Sequence, residues 1–115
     1  MHGLQSHGEW FVGTCGSVAD QGFDVIALDR RGSGLSQGPR EHMDRITHVV
    51  RDHRLFLEWL RSQDPDLPII LFAHSWGGLL GVFLAGYPRT HDHVNGLVLI
   101  SPGLIGRRRM ISKWA

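Results

Sequence analysis

A serine set between small residues, Ala73-His74-Ser75-Trp76-Gly77-Gly78, is the part of this sequence best suited to chemistry. Its spacing matches G-x-S-x-G, the nucleophile-elbow pattern, with alanine in the first small position. The pattern has a physical cause: a serine on a sharp strand-to-helix turn needs neighbours without bulk two before and two after it, so that the backbones can pass. Ala73 and Gly77 meet that need. Such a turn lifts the Ser75 hydroxyl above the sheet edge, and the helix that follows aims its first N–H groups at charge developing on a substrate oxygen. The chemistry would be nucleophilic attack on an acyl carbonyl. The bland alternative is an ordinary helix N-cap serine.

The surrounding pattern favours the chemical reading, because the serine needs a strand before it and a helix after it. Ile69–Ala73 is an apolar run of strand length, and Gly77–Tyr87 is apolar at helical length with Pro88 just beyond. Asn95–Ile100 predicts a further strand, ended by Ser101-Pro102-Gly103. Upstream, Ile46, Val49, Val50, His53, Phe56, Leu57 and Leu60 share one helical face, with Asp44 as the expected N-cap and Asp64-Pro65-Asp66 as the stop. Glu9–Gln21 predicts a helix ending at Gly22, and Phe23–Leu28 a buried strand closed by Asp29 and a turn-rich Arg30–Gly34. Continuous apolar strands alternating with helices imply an α/β fold, a mostly parallel sheet with helices on both faces.

Other clusters carry less. Gly32-x-Gly34 follows a strand but lacks the third glycine and the immediate helix of a phosphate loop, so nucleotide binding is not expected. His91-x-His93 around Asp92 lies in a polar loop without the partner cluster a metal site requires, and neither a metal nor a cofactor is expected. His53, on an apolar helix face, reads as a hydrogen-bonded core histidine. His74 should point away from Ser75 by strand alternation.

Composition sets the outer bounds: 115 residues, 42% hydrophobic and 20% charged, suit one globular unit or part of one. A net charge of +1 with interspersed signs names no nucleic-acid partner, and the Arg107–Arg109 run reads as a solvated turn. The single cysteine, Cys15, is expected to be a buried structural thiol in a reducing compartment. No long apolar stretch and no signal-like amino terminus are present, so a soluble, cytoplasmic chain is expected, with no transmembrane segment.

Three motifs, in order, carry a resemblance over essentially the whole chain: His2-Gly3-Leu4-Gln5-Ser6-His7-Gly8, Asp29-Arg30-Arg31-Gly32-Ser33-Gly34-Leu35-Ser36, and the elbow around Ser75. The chain resembles the α/β-hydrolase superfamily, and within it the lysophospholipase, monoacylglycerol-lipase and serine-aminopeptidase group. The resemblance implies an oxyanion hole from the backbone amides of Leu4 and Trp76. His2, Gly3, Ala73, His74 and Gly77 would support the loop and the elbow. It also implies a serine esterase acting on a small, lipid-like carboxylic ester through an acyl-enzyme on Ser75. An aminopeptidase-like amidase and a non-catalytic fold relic are the alternatives.

The same resemblance implies that the fold is partial. In the superfamily the triad acid and histidine follow the seventh and eighth strands, and this chain ends shortly after what resembles the sixth. The superfamily's third strand, which lies between its fourth and fifth, would precede His2. Residues 1–115 are thus expected to be the central part of one α/β-hydrolase domain, lacking the first three and the last two strands. Residues 104–115 should begin the lid or cap, and the chain alone should be inactive.

Overall fold

The computed structural model describes residues 1–104; the expected start of the cap beyond Leu104 and the Arg107–Arg109 run lie outside the described residues. A 3-10 turn, Gly8–Phe11, leads directly into α1, Val12–Ala19. After a long loop come α2 (Ile46–Gln63), β1 (Ile70–His74), α3 (Trp76–Gly86), a 3-10 turn at His91–His93 and β2 (Gly96–Ile100). β1 and β2 pair in parallel, from Ile70 opposite Gly96 to His74 opposite Ile100, with α3 as the crossover.

Strand alternation decides what each face of β1 meets. Leu71 and Ala73 are buried toward α3, where Gly81 lets the helix approach: a Cβ there would stand 3.0 Å from the Ala73 Cβ and 3.1 Å from Leu97. Val49 and Leu57 of α2 join Leu71, Leu80 and Leu84 in one apolar cluster, so α2 and α3 cover the same face. His74 points to the opposite face and meets the Phe11 ring, 5.8 Å between centroids. On that second face β1 meets the 3-10 turn through this ring pair, while α1, none of whose residues is buried, does not pack on the sheet.

Helix ends follow local chemistry. Tyr87 turns extended ahead of Pro88, and the fully buried Thr90 hydroxyl donates to the Leu84 carbonyl, ending α3 one residue early. Arg61, in the last turn of α2, donates to the carbonyls of Pro65, Leu67 and His93 and to Asn95 Oδ1, which also accepts from the Ile69 amide. That one side chain ties the end of α2 to the starts of both strands.

Three expectations need correction. Phe23–Leu28 forms no strand: Phe23 and Ile26 are more than half exposed, and no backbone hydrogen bond joins the segment to another. A strand exists only as a member of a ladder, and among the described residues the open edge of β1 pairs with Met1 alone, whose ammonium donates to the Phe72 carbonyl while His74 N–H donates to the Met1 carbonyl. Asp44 is not the N-cap of α2; Arg45 holds that position without a side-chain cap, and Asp44 pairs with His42. Cys15 is half-buried, because no residue of α1 is buried.

Candidate active site

Ser75 occupies the single residue between β1 and α3, with φ 53° and ψ −123°. A residue with a Cβ adopts that conformation only under strain of order 1–3 kcal/mol, so neighbouring contacts must hold it. They do: Ser75 N–H donates to the Ile100 carbonyl at 3.1 Å, and its own carbonyl accepts from Gly78 and Gly103, both at 2.9 Å. Ser75 is the N-cap residue of α3 by position, but its hydroxyl makes no capping bond. Among the described residues no histidine or carboxylate is hydrogen-bonded to it.

Small residues around the elbow are small for visible reasons. A Cβ on Gly77 would lie 2.6 Å from the carbonyl oxygens of both Met1 and His2, and one on Gly78 2.7 Å from the Pro102 ring. Gly3 lies against the serine itself, its missing Cβ 3.3 Å from Ser75 Cβ and 3.6 Å from Oγ. The structure thus brings together Gly3, Ser75 and Gly77, with Ala73 buried behind them. Leu4 and Trp76 adjoin this cluster in the chain, and neither backbone amide has a protein acceptor among the described residues. Trp76, as the first residue of α3, cannot donate within its helix. The Leu4 side chain is half exposed.

His2 supports the loop from beneath. Its buried ring donates from Nδ1 to the Gly3 carbonyl at 3.0 Å and accepts at Nε2 from the Arg30 amide at 3.1 Å, a pairing that requires the neutral ring. Burial, reinforced by the Arg30 guanidinium, pulls this ring down to about 4. His53 is buried on α2 with Nδ1 against the Val49 carbonyl, and burial lowers it as well. His74 Nδ1 has no partner among the described residues.

A pH dependence follows. A histidine held below its unfolded value of about 6.5 is neutral in the folded chain, so below that pH the unfolded state binds more protons. Stability is expected to be complete above about pH 6.5 and to fall as pH drops toward 4. His2 accounts for about 3 kcal/mol at about 1.4 kcal/mol per unit. Urea midpoints of the intact protein at pH 7 and pH 4.5 should draw closer together in the His2→Gln variant, with a residual slope from His53 and, at the acid end, from Asp29, whose carboxyl is held below its usual value; an undiminished acid slope would exclude the His2 ring as its source.

Two residues of the Asp29–Ser36 motif, to which the sequence alone gives no role of their own, organise the site. Asp29 accepts from the amides of Gly8 (2.6 Å) and Leu35 (2.9 Å), fastening the His-Gly loop to the glycine turn. Partial burial pushes its carboxyl up, but these two donors outweigh that and hold it below its usual value. Arg30 turns inward with 7% exposure, while Arg31 turns outward to Asp52 at 2.6 and 2.7 Å. The available signal was their place in the Asp29–Ser36 motif; which of the two arginines turns inward was not written there.

The amides of Gly32 and Leu35 are engaged by the Gln37 carbonyl and by Asp29, so the glycine turn closes on itself. A hollow of about 480 Å³ lies between this turn and the His-Gly loop, lined in part by Ser6, His7 and Arg40; Ser75 does not line it. His91 pairs with Asp92 on the surface, and among the described residues no group of three or more histidine, cysteine or acidic side chains could hold a metal. Among those residues no helix is long and apolar enough to cross a membrane.

Comparison with known proteins adds the following. A family model described as "Serine aminopeptidase, S33" matches residues 1–115. The chain is 31% identical over 103 residues to a monoacylglycerol lipase of Mycolicibacterium smegmatis, covering 90% of this chain and 36% of that protein. It is 36% identical over 104 residues to a caffeoylshikimate esterase of Arabidopsis thaliana, covering 88% and 31%. It is 36% identical over 78 residues to a monoglyceride lipase of Mus musculus, covering 68% and 25%. The chain therefore spans about a third or less of the length of these relatives.

Proposed function

The chain belongs to the serine aminopeptidase, S33, family of the α/β-hydrolase superfamily, and from that premise we propose that it carries the nucleophile of a serine ester hydrolase. Ser75 Oγ attacks the ester carbonyl and gives its proton to a base; the carbonyl π pair moves onto oxygen, where the Leu4 and Trp76 amides receive the negative charge. Collapse of this intermediate expels the alcohol, which takes up the proton, and leaves an acyl-enzyme. Water then releases the carboxylic acid and restores Ser75.

The observation that carries the reading is Ser75 itself: a strained residue at a strand-to-helix junction, pinned by three backbone hydrogen bonds, its hydroxyl making no capping bond and no hydrogen bond among the described residues. Each oxyanion donor is worth about 3 to 4 kcal/mol in such a mechanism, which gives the contact of Gly3 with Ser75 its importance. The substrate class is a small carboxylic ester with a lipid-like acyl chain, supported by relatives named monoacylglycerol lipase and monoglyceride lipase. Residues 1–115 are the central part of the catalytic domain, with 104–115 leading toward its cap, and the base comes from outside the segment described.

A fluorophosphonate probe tests this directly. The intact protein is expected to be labelled on Ser75, located by peptide mass mapping, and to hydrolyse a monoacylglycerol faster than an amino-acid anilide. An unlabelled Ser75 would end the serine-hydrolase reading, and a preference for the anilide would move the substrate class to amides.

A further inference from the structure

Among the described residues Arg30 is the one arginine or lysine that is buried, and none of its contacts there is a carboxylate. One guanidinium nitrogen donates to the His2 carbonyl and the other to the Gly3 carbonyl, both at 2.6 Å. Its own amide donates to His2 Nε2, and its Cζ lies 4.7 Å from the centre of the Trp76 ring. A buried cation without a carboxylate is costly, and a fork on two successive carbonyls fixes the orientation of the peptide units that bear them. The second of those units, Gly3 C=O to Leu4 N–H, is planar, so gripping its oxygen aims its N–H in the opposite direction.

We propose that Arg30 is a positioning residue for the oxyanion site, setting the Leu4 amide through its fork on His2 and Gly3 and bracing Trp76 through its ring. Arg30 thus touches Trp76 directly and reaches the Leu4 amide through the peptide unit that Leu4 shares with Gly3. Burial draws the guanidinium down to about 10, which leaves it charged at neutral pH. The inference rests on the serine-hydrolase reading, and the next experiment separates the two.

In the intact protein, fluorophosphonate labelling of wild-type Ser75 is established first; its failure removes the parent reading and this inference with it. Arg30→Met, which keeps the stem and loses the fork, is expected to lower kcat for a p-nitrophenyl ester about 10- to 100-fold with KM within about threefold. Affinity for a trifluoromethyl ketone, which forms an anionic adduct on Ser75, should fall by a similar factor, while that for the matching uncharged ether stays within about threefold. Arg30→Lys keeps the charge but cannot grip both carbonyls; it is expected to lose about tenfold in kcat and ketone affinity, and it decides the matter if Arg30→Met does not fold. A variant that labels and turns over as the wild type, or one in which ketone and ether affinities fall together, overturns the proposal.

Discussion

Ser75→Ala is expected to lower kcat of the intact protein by at least about 10⁴-fold while KM changes less than about threefold. The hydroxyl is the only group lost, and what remains is binding plus the two amides. The same variant should keep its urea midpoint, because the side chain makes no capping bond; a serine whose hydroxyl capped the helix would instead cost about 1 kcal/mol on truncation. Ser75→Gly separates the roles further. It should be as inactive as Ser75→Ala yet about 1 kcal/mol more stable, since φ 53°, ψ −123° strains any residue with a Cβ and relief outweighs the entropy of glycine. Turnover by Ser75→Ala within tenfold of wild type would show that another group attacks the ester.

How much of this was legible beforehand depended on whether the determinant was local. β1, α3 and β2 were readable because apolar runs bounded by Gly, Pro and polar turns have only a few lengths to adopt, and each lies within one residue of the pattern. α2 was readable from its period, although its cap was not, since Asp44 found a partner in His42 instead. Phe23–Leu28 has the composition of a strand but pairs with no neighbour among the described residues, and pairing is a property of two segments rather than one. The strand-to-helix turn at Ser75 was legible because the steric need for small neighbours is written into its spacing. Arg30 was not, because adjacent arginines look alike until the fold sends one to Asp52 and the other beneath the His-Gly loop.

Gly77→Ala should then reveal how tightly the elbow and that loop depend on each other. Alanine is favoured over glycine in a helix by about 1 kcal/mol, so propensity alone would make this substitution stabilising. The added Cβ, however, meets the carbonyl oxygens of Met1 and His2 at 2.6 Å and the Met1 carbonyl carbon at 2.9 Å, and these are backbone atoms that cannot swing aside. Relief requires moving the loop that bears Gly3 and Leu4, or tilting α3 away from it. The expected result is a net loss of about 1 to 3 kcal/mol in stability and at least about 100-fold in kcat, because a displacement of about an ångström misplaces an oxyanion donor. Gly86→Ala, at the far end of the same helix with nothing within 4 Å of its Cβ, supplies the control and should be stabilising by a few tenths of a kcal/mol to about 1. If both variants behave like the control, Gly77 does not set the approach of the His-Gly loop. The position of the Leu4 amide would then rest on the Arg30 fork and the Asp29 fastening alone.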